Sequence, residues 1–71
     1  MHYTWAPPLI SAGQRVRFRD HRGKVRDGEC YAVETRYDPK GVAKHCYRIG
    51  PDGWERALWL SDKNIVLPPN T

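Results

Sequence analysis

Six basic side chains lie close together near the start of the chain and are its clearest candidates for chemistry. Residues 14–26 hold six bases and one acid, Asp20, which sums to +5, whereas the rest of the chain holds six bases and seven acids, which sums to −1. Cationic side chains at this density attract polyanions, above all the phosphates of nucleic acid. The alternative is a solvated face whose arginines pair with Glu29, Glu34 or Glu55. The candidate phosphate contacts are Arg15, Arg17, Arg19, Arg22, Lys24 and Arg26.

Aromatic side chains form the second candidate group. Exposed rings stack on nucleic-acid bases or enclose a cation, and Tyr47 or Trp54 is the candidate for stacking. The alternative is that the rings fill the core, since a chain of 71 residues needs large side chains there. The candidate groove consists of Tyr31, Tyr37, Tyr47, Trp54 and Trp59.

Catalytic and metal-binding patterns are missing from the sequence. No C-x-x-C or H-x-x-x-H pair occurs, and no Ser or Cys stands in a pattern that indicates a catalytic triad. We therefore expect neither an enzyme nor a metal site, and no cofactor or small-molecule substrate. Cys30 and Cys46 are expected as unpaired thiols that pack as small hydrophobes.

The elements that must position these groups are short strands. Residues 14–20 alternate strictly, with Val16 and Phe18 on one face and three arginines on the other, which is typical of a strand with one wet face. A turn at residues 20–23 follows, then a return along the first strand and a kink or bulge at Asp27-Gly28. The other predicted strands are residues 29–37, 45–49, 54–60 and 65–67, with one short helical turn at residues 61–64 before the last.

Turn chemistry and alternation also predict a hairpin and a core. Gly50-Pro51-Asp52-Gly53 predicts the hairpin between the third and fourth strands, with Gly53 at positive φ. Residues 29–37 are expected to place Tyr31, Val33, Thr35 and Tyr37 in one row. The predicted core consists of Val16, Phe18, Tyr31, Val33, Ile49, Leu58 and Ile65.

Three features of this pattern resemble the SH3-like barrel superfamily, which includes Tudor and KOW modules. They are Gly13-x-x-Val16-x-Phe18 at the first strand, Gly28 before the second long strand, and the C-terminal stretch Trp59-Leu60-Ser61-Asp62-x-x-Ile65. The resemblance implies a mostly β, five-stranded barrel over residues 13–67, with one short 3-10 turn before the last strand. Outside it, Pro7-Pro8 predicts an extended arm at 1–12, and Pro68-Pro69 ends the last strand before a flexible tail at 68–71.

This fold hosts many functions, so the resemblance implies no particular one. One such family, the type II dihydrofolate reductase, uses a Val-Gln-Ile-Tyr stretch where this chain has Ala57-Leu58-Trp59-Leu60. No residue of that motif matches, so we do not expect reductase activity from this chain. The aromatic cage with which Tudor domains read methylated side chains cannot be assigned residue by residue either.

Two hypotheses for function follow, and both describe a non-catalytic binding module. The first is a weak, sequence-nonspecific binder of the nucleic-acid backbone. The second is a protein-interaction or self-assembling module, whose proline-bearing arm could dock on a neighbouring copy; an accessory protein of a mobile element would suit either. Since no basic start with an apolar stretch and no membrane span is evident, we expect a cytoplasmic protein without a membrane partner.

Overall fold

The computed structural model describes residues 5–53 and 56–66, which form one curled antiparallel sheet. Its strands are β1 (Arg15–Arg19), β2 (Val25–Tyr37), β3 (Ala43–Pro51), β4 (Leu58–Ser61) and β5 (Ile65–Val66). Their order in the sheet is β4-β3-β2-β1-β5, and every neighbouring pair is antiparallel. A 3-10 turn (Asp62–Asn64) precedes β5. The expected mostly β architecture is confirmed, as a curled half-barrel of five strands with one 3-10 turn before the last.

Strand β1 has the two faces that its alternation predicts. Val16 and Phe18 are buried, whereas Arg15, Arg17 and Arg19 are exposed. The turn to β2 is built on Asp20, whose Oδ1 accepts the backbone N–H groups of Arg22 and Lys24, each at 2.9 Å. Gly23 has a φ of 82°, the left-handed conformation that glycine tolerates best.

Strand β2 is longer than expected, and its bulge lies elsewhere. It passes Asp27 and Gly28 in regular register, so the predicted bulge at that place is wrong. The irregularity falls between Cys30, opposite Ile49, and Ala32, opposite Arg48, which leaves Tyr31 as the extra residue. An extra residue reverses the inward and outward parity of everything that follows it.

The shifted parity explains the main error in the predicted core. Tyr31 is 56% exposed and lies over Gly50, where its ring occupies the space that a Cβ would need. Val16, Phe18, Ile49 and Ile65 are buried as expected, and Val33 and Leu58 pack against them. The core also contains four residues that the alternation did not single out: Ile10, Cys30, Tyr47 and Leu60.

Strand β3 extends beyond its predicted ends. Gly50 and Pro51 continue the ladder opposite Glu29 and Gly28, so they belong to the strand and not to a turn. Proline is tolerated there because it stands at the end of the strand. Gly53 has a φ of 108°, which confirms the predicted left-handed corner.

The neighbouring boundaries also move. Tyr37 lies opposite Ala43, so the loop after β2 is shorter than expected. Strand β4 begins at Leu58, so residues 56–57 of the predicted strand are not part of it. The predicted strand residues 54–55 and 67, and the tail at 68–71, lie outside the described residues.

The arm packs on the sheet through one apolar and two polar contacts. Ile10 is buried in the core. The Ala6 carbonyl lies 2.6 Å from Nε2 of the buried His45, and the Leu9 N–H donates to the Tyr47 hydroxyl at 3.0 Å. Residues 6–10 therefore form part of the packed unit. In the described part of the chain, no helix is long and apolar enough to cross a membrane.

Candidate nucleic-acid interface

Arg15 and Arg17, the first two of the six candidate phosphate contacts, form ion pairs with acids of neighbouring segments. Arg15 makes a bidentate pair with Asp52, at 2.8 Å from Nη1 to Oδ1 and 2.5 Å from Nη2 to Oδ2. Arg17 donates from Nε to Oδ1 of Asp27 at 2.9 Å. Each guanidinium, through its hydrogen bond and its charge, lowers the pKa of its partner carboxyl. All four groups therefore stay charged near neutral pH and their charges cancel.

These partners are not the ones that the sequence suggested. The alternative of a solvated face named Glu29, Glu34 or Glu55 as the acids, of which Glu55 lies outside the described residues. Arg17 instead pairs with Asp27, which is directly opposite it in the β1–β2 register. Counting back across the turn at residues 20–23 would have found that pair. Exposed ion pairs of this kind stabilise a fold by less than about 1 kcal/mol each. Their effect here is on the surface potential, because they cancel the positive charge of two of the six candidate phosphate contacts.

The other four candidate phosphate contacts lie around the β1–β2 turn. Arg19 donates to the carbonyl of Gly23 at 2.9 Å and forms no ion pair with a described residue. Arg26 lies 3.8 Å from Asp20 and is half-buried. Within the described residues, Arg22 and Lys24 form no ion pair.

A cleft of about 300 Å³ opens beside this turn. His21, Arg22 and Arg26 from the first hairpin meet Arg56 and Leu58 from the segment that leads into β4. Arg56, like Arg22, forms no ion pair in the part of the chain that the structure describes. Arg56 was not a predicted site residue, because only the curl of the sheet brings it to the hairpin.

A second cleft, of about 480 Å³, lies on the other side of the same turn and shares Asp20 and His21 with the first. Its far wall is formed by β4 and the 3-10 turn, with Trp59, Ser61, Lys63 and Asn64. Lys63 also forms no ion pair with any described residue. We call the two together the turn clefts.

Asp20, the acid between the turn clefts, is hydrogen-bonded to backbone N–H groups. Asp20 accepts two N–H groups of its own turn, and these bonds lower the pKa of its carboxyl. Its side chain is largely buried, so it faces a ligand less than the surrounding cations do. The turn clefts thus combine four cationic side chains with one carboxylate that is already hydrogen-bonded: Arg22, Arg26, Arg56 and Lys63 around Asp20.

Three hydrogen bonds of the Asn64 side chain hold this region together. Asn64 donates from Nδ2 to the carbonyl of Arg19 at 3.0 Å, which ties the 3-10 turn to the end of β1. Its Oδ1 accepts the backbone N–H and the hydroxyl of Ser61 at 3.2 and 3.1 Å. The walls of the second cleft are therefore fixed relative to each other before any ligand arrives.

The five candidate aromatics do not form one groove. Tyr47 is fully buried, so its proposed role as a stacking ring is wrong; it faces the core because it is opposite the inward Val33. Tyr31 lies over Gly50 and Tyr37 lies near the end of β2, whereas Trp54 is outside the described residues. Trp59, 49% exposed, is the one described member of the five that lines a turn cleft.

The cysteines are far from each other in register. Cys30 lies opposite Ile49 and Cys46 opposite Glu34, so the two thiols are not bridged. Burial raises the pKa of the Cys30 thiol. Among the described residues, no three His, Cys, Asp or Glu side chains are grouped so that they could hold a metal ion.

Comparisons with protein-family models, with curated proteins and with solved structures find no match to this chain.

Proposed function

We propose that this protein is a non-catalytic SH3-like barrel that binds the nucleic-acid backbone weakly and without sequence preference, through the turn clefts. The observation that carries the proposal is the convergence of Arg22, Arg56 and Lys63, which lack acidic partners among the described residues, around one rigid turn. The SH3-like assignment is supported by a meander of four antiparallel strands whose fifth returns to pair with the first after a 3-10 turn.

The interface proposed here differs from the arginine row that the sequence suggests. Arg15 and Arg17 each face a carboxylate, so a phosphate would have to displace Asp52 or Asp27 to reach them. The cations of the turn clefts require no such exchange. Three phosphate contacts from Arg22, Arg56 and Lys63 correspond to a slope of about −2 to −3 in log affinity against log salt. Binding at physiological salt would then be on the order of micromolar or weaker.

The proposal is tested by two double variants of equal charge. Arg22→Gln/Arg56→Gln removes two cations from the first turn cleft, and Arg15→Gln/Arg17→Gln removes two from the ion pairs. Binding of a fluorescent oligonucleotide is measured at several salt concentrations. We expect the first variant to lose about 1.4–1.8 of the slope and the second to keep most of it.

Two results would contradict the proposal. Equal loss in both variants would mean that net charge alone drives binding, with no defined interface. Absence of salt-dependent binding in the unmodified protein to DNA, RNA or heparin would refute nucleic-acid binding altogether.

A second candidate function is protein interaction along β4. In the described part of the chain β4 pairs with β3 alone, and its other edge borders the second turn cleft. An unpaired edge offers backbone N–H and C=O groups to an added strand from a partner or a second copy. Light scattering across a range of protein concentrations tests the self-assembling form. A dimer whose dissociation is insensitive to salt would favour this function over the first.

A further inference from the structure

We propose that Trp59 stacks on an unpaired base, so that the ligand of the turn clefts is single-stranded nucleic acid. This inference rests on the proposed function, which concerns the phosphates alone and would hold equally for a duplex. It names the class of nucleic acid and adds one residue to the interface.

The position of Trp59 on β4 makes its ring available. Leu58 and Leu60 pack on the core, so the residue between them projects from the opposite face of the sheet. Trp59 is 49% exposed and pairs in register with Arg48, which makes no ion pair among the described residues. A large ring beside a cation on an open face is the arrangement on which single-stranded nucleic acids bind.

The cleft beside Trp59 supplies charge but little directional recognition. The amide of Asn64 is mostly engaged, since Oδ1 accepts from Ser61 and one of the two Nδ2 hydrogens is donated to the carbonyl of Arg19. Lys63 and His21 remain along the wall, and Lys63 is a point charge suited to a phosphate. Stacking is sequence-tolerant because every base has a π-face. The site therefore distinguishes single strands from duplexes more strongly than it distinguishes one base from another.

A duplex does not satisfy this site. The faces of paired bases are covered by their neighbours in the stack, so a ring fixed on a strand can reach a base only where it is unpaired. The second turn cleft, at about 480 Å³, falls within the size range of small-ligand pockets and can admit a base next to the ring. Arg22 and Arg56 in the adjoining cleft would then follow the backbone around the turn.

The test compares an oligothymidine with a duplex of the same length at the same salt concentration. Trp59→Ala should weaken oligothymidine binding about 5- to 150-fold and leave duplex binding unchanged. Trp59→Phe should keep part of the affinity, because a smaller ring still stacks. Trp5→Ala is the matched control: Trp5 is also exposed and lies outside the turn clefts, so its removal should change neither ligand.

Fluorescence gives a readout that does not depend on truncating the residue. In a Trp5→Phe/Trp54→Phe variant, Trp59 is the sole tryptophan, and oligothymidine should quench it while heparin does not. Unchanged affinity of Trp59→Ala for oligothymidine, or absence of quenching on binding, would overturn the inference while leaving the salt-dependent binding of the proposed function intact. If neither nucleic acid nor heparin binds, the proposed function itself fails.

Discussion

Two glycines on adjacent strands, Gly28 and Gly50, show how the close approach of β2 and β3 constrains single residues. A Cβ at Gly28 would meet the backbone of Gly50 and Pro51, whereas a Cβ at Gly50 would meet the far end of the exposed Tyr31 ring. Backbone atoms of a paired strand cannot move aside without breaking the ladder, but a tyrosine ring can rotate into solvent. A side chain is therefore tolerated less well at Gly28 than at Gly50.

We expect Gly28→Ala to lower the free energy of unfolding by about 2 kcal/mol or more, and Gly50→Ala by less than about 1 kcal/mol. Urea denaturation of the two variants measures the difference. In Gly50→Ala/Tyr31→Ala the cost of the added methyl group should disappear, because the ring that occupies its space is gone. Equal costs at positions 28 and 50 would contradict the close approach of β2 and β3.

Tyr47 links the core, the arm and the 3-10 turn through one hydroxyl. It donates to Asp62 Oδ1 at 2.6 Å and accepts the Leu9 N–H. Burial and the hydrogen bond to Asp62 raise the pKa of Tyr47 to about 12, from an ordinary value of 10. The folded state thus holds this proton more tightly than the unfolded state, so the stabilisation is complete below pH 10 and is lost as the pH rises through 12.

Tyr47→Phe should lower the free energy of unfolding by about 1 kcal/mol at neutral pH, because the partly buried N–H of Leu9 loses its acceptor and Asp62 loses a donor. Above pH 10 the difference between the unmodified protein and the variant should shrink, since only the former loses stabilisation when the phenol ionises. Urea denaturation at pH 8 and pH 11 tests this. A difference that stays constant over that range would mean that the hydroxyl is not buried as described.

At the scale of elements, the arm belongs to the folded unit. Ile10 is in the core, and two hydrogen bonds join Ala6 and Leu9 to side chains of β3. The sequence suggested an arm apolar enough to lie on the barrel, but its prolines favour an extended path and leave no periodicity from which to choose the buried residue. Self-assembly by docking of the arm on another copy would first require these contacts to break.

We expect Ile10→Ala to cost about 2–4 kcal/mol, the range for emptying a buried aliphatic site, and Leu9→Ala to cost less than about 1 kcal/mol. Leu9 is the matched control because it adjoins Ile10 and is exposed. Thermal unfolding of both variants compares them directly. If Leu9→Ala proves the more damaging of the two, the arm is seated in another register.

The elements also show what the sequence could reveal about this fold. Strict alternation correctly predicted β1 and its two faces, and the mostly β architecture with its final 3-10 turn followed from the spacing of turns and strands. Alternation could not locate the bulge at Tyr31, because Cys30 and Ala32 are both small enough for either face. The prediction assumed unbroken alternation, so it placed Tyr31 on the same inward face as Val33. The extra residue reverses the parity at this point, and Cys30 is the residue that is buried.

The same limit applied to the candidate site. Exposure of Arg15, Arg17 and Arg19 was predictable from the period of two. The neutralisation of Arg15 and Arg17 was not, because it depended on the strand register and on the path of the chain after Pro51. Likewise, Trp59 could be named as one of five aromatics but not chosen from them, since its choice depends on which strand meets the first turn. A single strand's pattern contains no information about its neighbours across the sheet.

At the scale of the whole molecule, pairing redistributes the net charge of +4. Arg15, Arg17 and Arg36 are balanced by adjacent carboxylates, and the uncompensated cations that matter here lie on either side of the first turn. The chain has one strongly basic segment in sequence, but its basic surface in three dimensions is formed by that segment's end together with Arg56 and Lys63. The proposed function depends on this surface around the first turn and not on the exposed face of β1.

Chemical-shift mapping by NMR tests most directly whether the interface lies around the first turn. The ¹⁵N-labelled protein is titrated with an oligothymidine at low salt, and every backbone amide and indole N–H is followed. We predict that the perturbed signals will cluster at residues 20–24 and 56–64, including the indole N–H of Trp59, and will reverse when salt is added. Perturbations centred on Arg15, Arg17, Asp27 and Asp52, or spread evenly over the surface, would contradict the account.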